Sequence, residues 1–137
     1  MPLHAREVGG ELFLAEEPGK HERLLTPSEF RASRSEALEV HDAKLADLRR
    51  DEQKLLFRLE AALVRLDEPA DVVRAELAAC REAIVACEQG IHQAVADVAA
   101  LNRLLDSRAA QQLEEADRAR LAALTQPFDQ VLQEYAA

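Results

Sequence analysis

The sequence predicts an all-α protein: a long antiparallel helical hairpin, coiled-coil-like, with a C-terminal helical segment and a short N-terminal arm that is irregular or a β-hairpin. Three observations predict it. Apolar heptads run from Leu38 to Leu66 and again from Val73 to Leu105, on either side of a single break at Asp67-Glu68-Pro69. Aromatic residues make up only 4% of the 137 residues, there is no Trp, and Ala, Leu, Glu and Arg abound, as in helical bundles and coiled coils. Helix-start chemistry also stands where each arm begins.

The arm comes first, residues 1–27. It holds Gly9, Gly10 and Gly19, three of the four glycines, and two apolar patches, Leu12-Phe13-Leu14 and Leu24-Leu25. Glu16-Glu17-Pro18-Gly19-Lys20 between the patches reads as a turn. Two strands alone are marginal in water, so a hairpin here needs something to pack on.

Residues 28–108 form the hairpin. Thr26-Pro27-Ser28-Glu29 reads as a capping box with Pro at the first helical position, where its missing N–H costs nothing. Pro69 plays the same part for the second arm, with Glu68 and Asp71 placing negative charge near the helix N-terminus. Antiparallel packing sets an a layer against a d layer. The phase centred between Pro69 and Ala70 pairs Leu59 with Cys80, Leu55 with Ile84, Glu52 with Cys87, Leu48 with Ile91 and His41 with Val98. Further out, Arg34 meets Leu105 and Arg31 meets Arg108; two arginines in one layer repel, so the seam ends there. An arm of about 40 residues is about 60 Å long.

Two seam residues depart from the apolar pattern. Glu52 occupies an a position and needs a partner; Arg81 on the facing arm is within reach, and the pair sets the register. Gly90 costs about 1 kcal/mol against Ala in a helix and marks a flexible point or the close approach of a third element.

The C-terminal helical segment, 109–137, opens on strong helix formers from Ala109 to Leu124 and has a stop signal at Thr125-Gln126-Pro127. The pattern leaves open whether it continues the second arm or folds back. Phe128, Val131, Leu132 and Tyr135 then repeat as one apolar helical face.

Function is bounded mainly by exclusion. The net charge of −9 is spread along the chain without a long run of one sign, and Arg49-Arg50 with Lys54 and Arg58 lie among acids as a solvated face, so direct nucleic-acid binding is not expected. No run of about 18 apolar residues suggests a membrane span, and Met1 to Arg6 do not begin a secretory signal, so a cytoplasmic location is expected. Cys80 and Cys87, one heptad apart at d, read as small buried hydrophobes rather than a disulfide or zinc site. Glu88 and His92 match no metal motif, His4 and His21 fall in the arm, and neither a phosphate loop nor a nucleophile elbow is present. The expectation is a protein without enzymatic activity, cofactor, metal or small-molecule substrate.

What remains is a helical protein-interaction module: an adaptor, an assembly factor or a chaperone-like protein. Leu56, Leu63, Val95 and Leu104 fall at e and g, widening the apolar stripe beyond what two helices cover. With Phe128, Leu132 and Tyr135 they form the expected partner-binding set, and a homodimer is the simplest way to cover them. The alternative is an acidic decoy of phage or mobile-element type that blocks a basic nucleic-acid-binding surface on another protein.

Overall fold

The structure, a computed structural model, describes residues 3–16, 19 and 22–136, with side chains described as far as 124. The protein is mostly helical, with two long helices packed together and a small N-terminal sheet. In chain order the elements are β1 (Ala5–Val8), β2 (Glu11–Glu16), β3 (Arg23–Leu25), α1 (Pro27–Arg65) and α2 (Ala70–Ala136). Residues Met1–Ala99 form one compact unit and Ala100–Ala137 a second.

The N-terminal arm is a three-stranded antiparallel sheet in the order β1-β2-β3, one strand more than the hairpin expected from the sequence. The extra strand comes from Gly9-Gly10. Their φ values of 62° and 81° satisfy a two-residue turn with both central residues left-handed, and Val8 pairs directly with Glu11. Glu17, Pro18 and Lys20 of the expected turn lie outside the described residues, as does His21. Helix α1 meets the need for support: Leu14 pairs with Leu25 across β2 and β3, and β2 and β3 both contact α1. Leu14, Leu25 and Phe30 of α1 are all buried and make up the small core of this end.

The α1 start is the expected capping box. Glu29 N–H donates to Thr26 Oγ1 at 3.1 Å, and Thr26 N–H donates to Glu29 Oε1 at 3.2 Å. The Thr26 backbone N–H, then its side chain, hold the Glu29 carboxyl below the ordinary carboxylate value. Glu68 is lowered too, chiefly by its hydrogen bond from Arg58, which also donates to Glu76 at 2.7 Å. A depressed carboxylate pKa adds stability that is present above the ordinary value of 4.5 and lost as pH falls through the folded value. Thermal melting midpoints are therefore expected to fall below about pH 4.5, less so in a Glu29→Gln/Glu68→Gln variant. At neutral pH, Thr26→Ala is expected to cost about 1 kcal/mol in chemical denaturation, from a lost cap.

At its other end α1 stops at Arg65. Leu66 caps it in the left-handed region, φ 56°, donating its N–H to Ala62 O at 3.1 Å. Pro69 is the residue before α2, one position earlier than expected, and its carbonyl accepts from Val72 and Val73 N–H. Thr125-Gln126-Pro127 does not end a helix, and residues 109–124 continue the second arm, since α2 is helical from Ala70 to Ala136. A proline inside a helix removes one hydrogen bond and crowds the carbonyl four residues back, at a cost of about 3 kcal/mol, and against it stand the strong helix formers from Ala109 to Leu124.

Burial in α2 follows the expected seam: Val73, Leu77, Ile84, Cys87, Ala94 and Leu101, all at a or d, are buried. Along α1 the seam residues Leu45, Leu48, Leu55 and Leu59 are only half-buried. The layer pairing differs from expectation. The Cys80 thiol donates to Leu48 O at 3.4 Å and the Cys87 thiol to His41 O at 3.0 Å, in place of Cys80 with Leu59, Cys87 with Glu52 and His41 with Val98. Arg34 pairs with Asp97 at 2.9 Å rather than meeting Leu105. The cause is the early end of α1: the connection begins at Leu66, ahead of the break on which the expected phase was centred, and heptads allow pairings to change only in whole repeats.

Candidate interaction surface

Where the two helices touch, polar contacts occur at separate levels. Arg34 stacks over the Phe30 ring at 4.6 Å from its centroid while bonding Asp97, which also accepts from Gln93 at 2.8 Å. This half-buried set joins the sheet end of α1 to α2. Further along, Arg81 donates to Glu52 at 3.2 Å, as the sequence predicted, with Glu52 the more buried partner. Between these levels His41 lies on Gly90. A Cβ built at Gly90 would stand 2.7 Å from His41 Cε1 and Nε2, so the ring occupies the space a side chain would take. Gly90 therefore marks a close approach by α1 rather than by a third element.

These groups link the two helices. Burial, then the charges of Asp51 and Glu52, push the Cys80 thiol above its ordinary value and keep it protonated, while Arg81 acts the other way. Among the described residues no group of three or more His, Cys, Asp or Glu is placed to hold a metal ion. No described helix is long and apolar enough to cross a membrane.

The apolar surface is what stands out. Of the residues expected to bind a partner, Leu63 and Val95 are exposed, Leu56 and Leu104 are half-buried, and the side chains of Phe128, Leu132 and Tyr135 lie outside the described residues. Sequence reasoning missed Phe57 and Val64, each 76% exposed, and Leu66, 84% exposed. A signal existed: Phe57 and Val64 are one heptad apart at an outer position, which a search limited to a, d, e and g passes over.

Around the connection, Ala62, Leu63, Leu66, Pro69 and Ala70 line a shallow groove of about 330 Å³, edged by Asp67 and Glu68. A larger open groove of about 770 Å³ runs along α2 between Leu59, Leu77, Ala78, Arg81, Val85 and Ala86. Both have apolar floors with charged rims. No protein family, no curated protein and no solved structure matches this chain.

Proposed function

We propose that this chain is a non-enzymatic helical interaction module, an antiparallel hairpin that binds a protein partner through the apolar flank next to its connection. The antiparallel order is supported by the sequence of contacts. As α1 runs from Arg34 through His41 and Leu48 to Arg58, the partners on α2 run back from Asp97 through Cys87 and Cys80 to Glu76.

The observation that carries the reading is Leu66. A leucine in the left-handed region costs about 1–2 kcal/mol that glycine would not, and its side chain, 84% exposed, recovers almost none of it by burial. An outlier of this kind points to use rather than stability. Leu63 and Val64 beside it, with Val72 at the start of α2, are exposed as well, so the apolar surface is concentrated at this end of the helix pair.

The test is affinity capture from the native host with the full chain and with Leu66→Gly and Leu63→Asp variants. Leu66→Gly is expected to raise stability by about 1 kcal/mol, from the relieved backbone, while losing the captured protein. Equal capture by all three would remove the reading. Capture that persists in the variants but fades steeply between low and moderate salt would instead support the acidic decoy.

A further inference from the structure

Where α1, the connection and α2 meet, one guanidinium touches all three. Arg58, about two turns before the end of α1, donates from Nε and Nη2 to the two carboxylate oxygens of Glu68 on the connection, Nε to Oε2 at 3.3 Å. Its Nη1 donates to Glu76 Oε2 on α2 at 2.7 Å. Every guanidinium nitrogen is used. The hydrogen bonds to Glu68 and then to Glu76 hold the Arg58 guanidinium above its ordinary value, and the bond from Arg58 holds the Glu68 carboxyl below its own.

This pairing depends on the turn. On a continuous helix, residues ten apart stand about 15 Å from each other along the axis and do not meet, since helical neighbours are three and four apart. Arg58 therefore reaches Glu68 only because the chain turns back after Arg65. The local sequence does not demand a turn at that point. Pro69 disfavours helical backbone at Glu68, but it leaves Leu66 and Asp67 free to continue α1. Leu66 instead takes a φ of 56°, which leucine avoids. An isolated exposed ion pair contributes little, whereas a bidentate arginine fork joined to a second carboxylate can hold a geometry.

We propose that Arg58 is a positioning residue: by gripping Glu68 and Glu76 together it ends α1 at Arg65 and holds Leu66 in the left-handed cap. Glu68 edges the groove that Leu63 and Leu66 line, so the same grip shapes that surface. The use of the geometry, presentation of Leu63 and Leu66 to a partner, rests on the function proposed above. The geometry itself does not, so it is tested in the free chain.

The test is nuclear magnetic resonance of the full chain as wild type, Arg58→Lys and Glu68→Gln. Lysine keeps the charge and loses the fork, and Glu68→Gln leaves α1 itself unaltered should Arg58→Lys disturb the helix. In wild type the Leu66 amide proton should show a strong contact to its own Hα proton, the mark of a positive φ, and the Asp67 amide should exchange freely. Both variants are expected to lose that mark. They should also slow Asp67 exchange by about tenfold, as its N–H joins the Leu63 carbonyl in a lengthened α1. A positive φ at Leu66 retained in both variants, or absent from wild type, would overturn the proposal even if the variants melt at lower temperature. Loss of the mark with partner capture unchanged would instead fault the surface around Leu66 and leave the role of Arg58 standing.

Discussion

Leu14→Ala is expected to lower the unfolding free energy by about 2–4 kcal/mol, read by chemical denaturation, while far-UV helicity in water changes little. Leu14 is 1% exposed, and it links the sheet to the helices by pairing with Leu25 in the layer that covers Phe30. Truncation leaves a void that three short strands and one helix turn have little freedom to fill. The sheet has few other apolar anchors: Phe13 is half-buried, and Val8 and Leu24 are exposed. Damage should therefore be local, and limited proteolysis should cut between β1 and β3 in the variant long before the helices are cleaved. If Leu14→Ala instead weakened the sheet and the helix pair in a single cooperative step, the sheet would be an integral part of the helix core rather than a cover over the start of α1.

The second large effect is expected at Gly90, where two principles pull in opposite directions. Helix propensity favours alanine over glycine by about 1 kcal/mol. Geometry opposes it, because the new Cβ would stand 2.7 Å from two His41 ring atoms, and the ring has to swing off the surface of α2. Overpacking of this kind costs about 1–3 kcal/mol, so Gly90→Ala is expected to be net destabilising, and Gly90→Leu more so. The deciding measurement is a double-mutant cycle. In a His41→Ala background the obstruction is gone, and Gly90→Ala should then stabilise by about 1 kcal/mol. Additive effects would mean that the ring moves aside freely and that Gly90 has no steric role.

Both expectations concern residues whose environment was only partly legible from sequence. The heptads of α2 were readable because its seam positions are buried or half-buried, and the buried set from Val73 to Leu101 follows the a and d pattern directly. The capping box was readable because it depends on four consecutive residues and nothing distant. The Glu52–Arg81 pair was found because a charge in an apolar seam has to be answered from nearby.

The layer pairing was not legible, for a physical reason. A seven-residue repeat fits itself equally well at every whole-repeat displacement, and the deciding detail was a leucine taking a left-handed cap that sequence rules reserve for Gly or Asn. The third strand was missed because Ala5–Val8, with Arg6 and Glu7 at its centre, carries little apolar signal, and only the register across Gly9-Gly10 makes it a strand. Exposed Phe57 and Val64 were missed because heptad reasoning asks what the seam covers and passes over the outer face.

The contacts between α1 and α2 bear on slippage. An apolar repeat has translational symmetry: sliding one helix by seven residues presents a nearly identical seam, so the leucines alone leave a ladder of almost degenerate states. The two thiol bonds share that symmetry, since Cys80 and Cys87 are one repeat apart and so are their acceptors, Leu48 and His41. A slide of one repeat would keep one bond and lose the other. Arg34 with Asp97 and His41 on Gly90 are lost on a slide of one repeat in either direction, and Glu52 keeps an arginine only on the slide that brings Arg74 to the place of Arg81. The symmetry is therefore broken at places spaced along the pair, so a slipped state would lose at least two of these contacts at once while gaining nothing from the seam. Residues that weaken a coiled-coil pattern, a charge, a histidine and a glycine, are here the ones that give the helix pair a single ground state.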